Sequence, residues 1–128
     1  MAEQPLILIV EDDMEMNELQ RELLALHGMN SMPAYTGPQA VDLSTDHPVD
    51  AILLDIMLPE MDGFEVCQRI RSQEACEKRV PIIMLTAMDG EERRKRGNLA
   101  GADAYFVKPF DPDEVIQCID MLMGVAGE

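Results

Sequence analysis

The chain has 128 residues, 47% of them hydrophobic, a length and composition that fit one domain with a real core and exclude a disordered chain. Ten Lys and Arg against 25 Asp and Glu leave a net charge of −15, which argues against binding nucleic acid or an anionic membrane through the chain's own field. No stretch approaches the roughly 18 apolar residues of a membrane span, and the start MAEQPLILIV lacks the basic leader of a signal peptide. Cys67, Cys76 and Cys118 make neither a metal-ligand pattern nor a disulfide framework, which fits a reducing cytoplasm.

Leu6–Val10 is a continuous apolar run, the mark of a strand covered on both faces. Asp13 is placed to cap a helix through about His27, with Met16, Leu19, Leu23 and Leu26 as its inner face and Gly28 as its stop. Asn30–Ala34 reads as a weaker strand, and Pro33 assigns it to an edge. Thr36 with Pro38 opens a second helix through about Asp46. Ala51–Leu54 is a buried strand ending in Asp55, and Pro59, Asp62 and Gly63 mark a loop. A third helix follows, with Phe64, Val66, Cys67 and Ile70 as inner positions. Val80–Leu85 is a fourth strand with Pro81 at its start, Glu91–Leu99 a polar helix carrying Arg93 to Arg96, and Tyr105–Val107 a fifth strand. Asp111, Pro112 and Glu114 open a last helix from Asp113 to about Met123, followed by a short tail, 124–128.

Buried strands alternating with helical crossovers predict an α/β fold with a parallel sheet covered on both faces. With five strands the flavodoxin-like order 2-1-3-4-5 is the natural one, and it gathers functional groups at the carboxyl ends of the strands. Those ends are Glu11-Asp12-Asp13, Asp55, Thr86-Ala87 and Lys108-Pro109. Carboxylates clustered this way are costly without a cation. Oxygen ligands suit Mg²⁺, with Mn²⁺ as a substitute, and a hard cation beside a Lys and a Thr is a site for handling phosphoryl groups.

The segments ILIVEDD at 7–13, ILLDIMLPEMDGFEV at 52–66, PIIMLTA at 81–87 and GADAYFVKPF at 101–110 resemble, in order and spacing, the receiver domains of two-component response regulators, the chemotaxis regulator among them. The resemblance runs from about Leu6 to Met123. It implies one receiver domain over 1–128, with its core at about 6–123. It implies that Asp55 is the phosphoacceptor, attacking a phosphohistidine to form an acyl phosphate. Asp12 would be a direct Mg²⁺ ligand, Glu11 a ligand through water, and the backbone carbonyl of Met57 would complete the protein's share. Lys108 would pair with Asp55 and later with phosphoryl oxygens, Thr86 would donate its hydroxyl to one of them, and the small Ala87 would leave the site open. Tyr105 would be the aromatic that swings inward with Thr86, and Lys108-Pro109 a cis peptide. The implied partners are a histidine kinase or a histidine phosphotransfer protein, with self-dimerisation through the face of helix 4, strand 5 and helix 5. The implied role is a switch, not a metabolic enzyme.

Several positions carry a second reading. Asp13 reads as a helix cap rather than a ligand. Asp62 and Gly63 read as shaping the loop, Gly63 through its backbone freedom. The run Arg93–Arg96 reads either as a site for an acidic partner or as a solvated face with Glu91 and Glu92 as partners of Lys95 and Arg96. Met57 and Met88, two residues after Asp55 and Thr86, cannot position an attacking water, which predicts slow self-dephosphorylation. Rival functions are an aspartyl-nucleophile phosphatase or phosphotransferase, and a degenerate receiver that serves as a phosphate-independent interaction module. Asp55-Ile56-Met57 lacks the second acid that haloacid-dehalogenase-type enzymes carry there, and the set Asp12, Asp55, Thr86 and Lys108 speaks against degeneracy. A free-standing receiver, a phosphorelay intermediate and a part of a longer regulator or hybrid kinase all fit the sequence.

Overall fold

Each apolar run forms its strand. The computed structural model of the chain describes residues 4–73, 79–87 and 90–127. Its elements are β1 (Leu6–Val10), α1 (Met14–Leu26), β2 (Asn30–Ala34), α2 (Gly37–Asp46), β3 (Ala51–Asp55), α3 (Gly63–Gln73), β4 (Ile82–Thr86), α4 (Glu91–Ala100), β5 (Ala104–Val107) and α5 (Pro112–Gly127). The strands pair in parallel in the order β2-β1-β3-β4-β5, the predicted flavodoxin-like arrangement. Pro33 lies on the edge strand β2, where only one side carries a ladder.

Alternation along the strands divides the core into two layers. Leu8, Val10, Ile52, Leu54, Ile82 and Met84 face Val41, Phe64, Val66, Cys67, Ile70 and Ala100, the inner residues of α2, α3 and α4. Ile7, Ile9, Leu53, Ile83 and Leu85 face Leu24 of α1 and Val115, Ile116 and Ile119 of α5. β3 and β4 are buried along their whole length, which is why their sequences read as unbroken apolar runs.

Local signals set the helix ends. Asp13 caps α1, its carboxylate accepting from the N–H groups of Glu15 and Met16 at 3.0 and 3.2 Å. At the other end Gly28, with φ +77°, donates to Ala25 O while Met29 N–H reaches back to Leu24 O, the Schellman arrangement that a left-handed residue closes. Thr36 caps α2 through Gln39 N–H, and Asp111 accepts from Asp113 N–H at the start of α5.

The structure corrects four expectations. α1 is rotated: it buries Asn17, Gln20 and Leu24, while Met16, Leu19 and Leu26 of the predicted inner face are exposed, Leu26 to 80%, and Leu23 is half-buried. β4 starts at Ile82, because Pro81 has no N–H to give the ladder and the carbonyl of Val80 is taken by Arg71. Residues 124–127 are helical rather than a tail, because Gly124 does not adopt the left-handed φ that would end the helix. Gly63 is required for space rather than for backbone freedom: a Cβ there would lie 2.7 Å from Ile56 Cα and 2.8 Å from Asp55 O. Cys76 and Met88 lie outside the described residues.

Candidate functional site

The carboxyl edge of the sheet brings the strand-end residues together. Glu11 follows β1, Asp55 closes β3, Thr86 closes β4 and Lys108 follows β5. Glu11, Asp55 and Thr86 are buried, whereas Asp12 stands exposed at the mouth. One oxygen from each of Glu11, Asp12 and Asp55 falls within 4.8 Å of the others.

The Asp55 carboxylate is held at both oxygens. Oδ1 accepts from Met57 N–H at 3.0 Å, and Oδ2 accepts from Lys108 Nζ at 3.2 Å. Lys108 also donates to Glu11 Oε1 at 2.9 Å, and Glu11 Oε2 accepts from Asp13 N–H at 3.2 Å. Burial pulls the Lys108 ammonium down, but the hydrogen bond to Glu11 and the charges of Asp55 and Glu11 outweigh it and hold the group above its ordinary 10.5. The Asp12 carboxyl is raised as well, above the usual 3.8, by desolvation first and then by the hydrogen bond and negative charge of Glu11, which for an acid favours the neutral form. A carboxylate that resists ionising beside two others is a group that a cation would relieve. An all-oxygen donor set of three acids, one of them open to solvent, suits a hard divalent ion.

Thr86 is fully buried, and its carbonyl accepts from Lys108 N–H at 2.6 Å, extending the β4–β5 ladder to the site. Ala87, next in the chain, is exposed, and so is the side chain of Met57, two residues after Asp55. The Lys108-Pro109 bond is cis. Tyr105, paired with Met84 across the ladder, is half-buried against α4, with the Arg94 guanidinium 4.9 Å from its ring centroid. Arg96 lies over Phe64, 4.4 Å from the centroid, and 3.7 Å from Asp62. The basic run therefore reaches aromatic rings of β5 and α3. Asp62 itself caps α3 through Glu65 N–H at 3.0 Å.

Sequence reasoning missed three contacts: the Glu11–Lys108 bond, the stacking of Arg94 and Arg96, and the buried amide of Asn17 beneath the Glu11 carbonyl. Each joins residues remote in the chain or hidden by a competing apolar pattern, so none leaves a local spacing signal.

The sequence profile of the response regulator receiver domain matches residues 7–120. The chain belongs to the response regulator receiver family. This receiver is 40% identical over 110 residues to response regulator MprA of Mycobacterium sp. strain KMS, covering 86% of the chain and 46% of that protein. It is 40% identical over 117 residues to transcriptional regulatory protein SrrA of Staphylococcus aureus strain NCTC 8325 / PS 47, covering 91% and 47%. The receiver thus spans about half the length of these curated relatives. Among solved structures it resembles the receiver domain of sensor histidine kinase PA1611 from Pseudomonas aeruginosa PAO1, with a TM-score of 0.85 at 34% identity over 94% of this chain and 98% of that one. That structure holds a magnesium ion coordinated in its active site cleft. A CheY-like receiver domain protein from Methanospirillum hungatei JF-1 gives a TM-score of 0.89 at 26% identity, covering 97% of both chains. Receiver domains generally act as signalling switches rather than enzymes and bind Mg²⁺ at an acidic site, and Glu11, Asp12 and Asp55 form such a cluster here. Among the described residues no helix is long and apolar enough to cross a membrane.

Proposed function

We propose that this receiver takes a phosphoryl group from a histidine kinase or histidine phosphotransfer protein onto Asp55, in the cytoplasm, and passes the change to the surface of α4, β5 and α5. The observation that carries the reading is the Asp55 carboxylate, buried at the end of a central strand and held by one backbone N–H and one ammonium beside two further acids. A carboxylate oxygen of Asp55 attacks the phosphorus of a phosphohistidine. The P–O bond forms as the P–N bond breaks, and the departing imidazole nitrogen keeps the electron pair.

Asp12 and Asp55, with Glu11 through water and the Met57 carbonyl, are the residues that would hold Mg²⁺, or Mn²⁺ in its place. Bound there, it would offset the charge of the acids and of the incoming phosphoryl oxygens. Lys108, held in its charged form by Glu11 and Asp55, pairs with the phosphoryl oxygens once Asp55 is modified. Thr86 donates its hydroxyl to one of them, and the small Ala87 leaves the approach open. Tyr105 moves in behind Thr86, and this reshapes the face that a partner or a second copy meets.

The energies are of the right size. Phosphorylation adds about −1.5 to −2 charges and three strong acceptors. Moving an equilibrium from 1:99 to 99:1 takes about 5.5 kcal/mol, and two or three charge-assisted hydrogen bonds contribute about 1.5–3 kcal/mol each. Met57, exposed beside Asp55, offers no group to orient a hydrolytic water, so the acyl phosphate is long-lived.

The test is incubation with a small phosphodonor and Mg²⁺, with intact-mass readout. One labile phosphoryl group on the wild type and none on Asp55→Asn is the expected result. Equal uptake by the variant overturns the assignment, and a half-life of seconds overturns the slow hydrolysis.

A further inference from the structure

α1 lies with the wrong face inward by the measure of hydrophobicity. It exposes Met14, Met16, Leu19 and Leu26 and buries Asn17 and Gln20. Apolar burial is the dominant favourable term in packing a helix, so a rotation that gives it up points to polar contacts that hold the helix in place.

Asn17 supplies them. Its side chain is fully buried, and Nδ2 donates to the carbonyls of Glu11, Ile9 and Ala34 at 3.1, 3.2 and 3.3 Å. Its Oδ1 accepts from Arg21 Nε at 3.0 Å, which fixes which way the amide faces. The Glu11 N–H donates to Ala34 O at 3.0 Å, so the same carbonyl of β2 receives both Glu11 and Asn17. Every polar group of Glu11 is thereby engaged: its N–H by β2, its carbonyl by Asn17, and its carboxylate by Lys108 and Asp13 N–H. The carbonyl that Asn17 grips belongs to the peptide joining Glu11 to Asp12, so the amide sets the plane of that peptide and the direction in which Asp12 leaves it.

We infer that Asn17 is a positioning residue for the acidic pair, acting from beneath the β1–α1 turn to set the Mg²⁺ affinity of the site. The inference rests on the proposed function, because it takes Glu11 and Asp12 to be the cation's residues. Groups that orient metal ligands without touching the metal shift affinity by about 10–100-fold.

The experiment is Mg²⁺ titration of the unphosphorylated full chain by calorimetry, with thermal unfolding in EDTA run alongside. Gln20→Ala serves as the comparison, since Gln20 is buried on the same face of α1, one turn on. The expected result is that both variants lose thermal stability but only Asn17→Ala weakens Mg²⁺ binding, by about tenfold or more. A folded Asn17→Ala that binds Mg²⁺ as the wild type does, or an equal weakening in Gln20→Ala, overturns the inference. If Asn17→Ala does not fold, Arg21→Ala frees the amide oxygen while leaving Asn17 in place. It is expected to weaken binding severalfold, and unchanged binding overturns the inference in its turn. A wild type that takes up no Mg²⁺ overturns the proposed function and this inference with it, whereas normal wild-type binding with no effect of Asn17 overturns the inference alone.

Discussion

Lys108 is closer to Glu11 than to Asp55, its Nζ lying 2.9 Å from Glu11 Oε1 and 3.2 Å from Asp55 Oδ2. The ammonium is therefore shared between the ends of two neighbouring strands, β1 and β3, and so between two members of the acid cluster. Its side chain is 23% exposed, while those of Glu11 and Asp55 are 4% and 9% exposed. Losing the ammonium leaves two nearly buried carboxylates facing one another.

Lys108→Ala is accordingly expected to cost about 3 kcal/mol in EDTA, the low end for breaking a buried ion pair, and to recover part of this in Mg²⁺. Urea unfolding in the two buffers measures both. The pH dependence has a definite sign. A lysine raised in the folded state contributes stability that is full below its ordinary 10.5 and lost as pH rises through the higher folded value. The stability difference between wild type and Lys108→Ala should therefore hold steady up to about pH 10 and shrink above it.

Asp12 carries the opposite consequence at neutral pH. Its folded value lies above 3.8, so the fold favours the protonated form, and that contribution is lost as pH rises through the raised value. Without a divalent ion, Asp12→Asn should be more stable than wild type at pH 7 by about 0.5 kcal/mol, given how strongly solvent screens an exposed charge. The advantage should vanish at pH 3, and Mg²⁺ should reverse the order by stabilising the wild type more. Denaturant midpoints under the three conditions decide it.

Gly63 and Gly28 separate two reasons for glycine. A Cβ at Gly63 would strike the Asp55–Ile56 backbone, which cannot yield as a side chain can, so Gly63→Ala should cost about 1–3 kcal/mol and disturb the site. Gly28 has open space around it but a φ of +77°, so Gly28→Ala should cost about 1 kcal/mol and leave Mg²⁺ binding unchanged. Thermal unfolding and Mg²⁺ titration of the two variants check the contrast.

Arg96 should matter more than its exposed position on a charged helix suggests. Its guanidinium covers the buried Phe64 ring and approaches Asp62. Arg96→Ala is expected to cost about 1 kcal/mol. Lys95→Ala, one residue away and exposed, should stay within about 0.5 kcal/mol. Parallel melting curves measure both.

The strand order and the meeting of Glu11, Asp55, Thr86 and Lys108 were legible because unbroken apolar runs mark buried parallel strands, and such strands end at one edge. The rotation of α1 was not legible. Met16, Leu19, Leu23 and Leu26 make a regular stripe, and nothing local shows that the Asn17 amide is needed under the carbonyls of three separate residues. The positions of Arg94 and Arg96 were hidden likewise, since the rings they cover sit on β5 and α3. The continuation of α5 to Gly127 was not legible either, since Gly124 stays helical where a left-handed φ would have ended the helix.

At the edge opposite the acids, Asp103 gathers Arg71, Arg79 and the N–H of Ile82, while Arg71 also grips the carbonyls of Gly101 and Val80. These contacts clasp the entrance of β4 and β5 to the end of α3. With that end of the ladder fixed, the amides of Ile82 and Asp103, each bonded to the other residue, should be among the last to exchange with deuterated solvent.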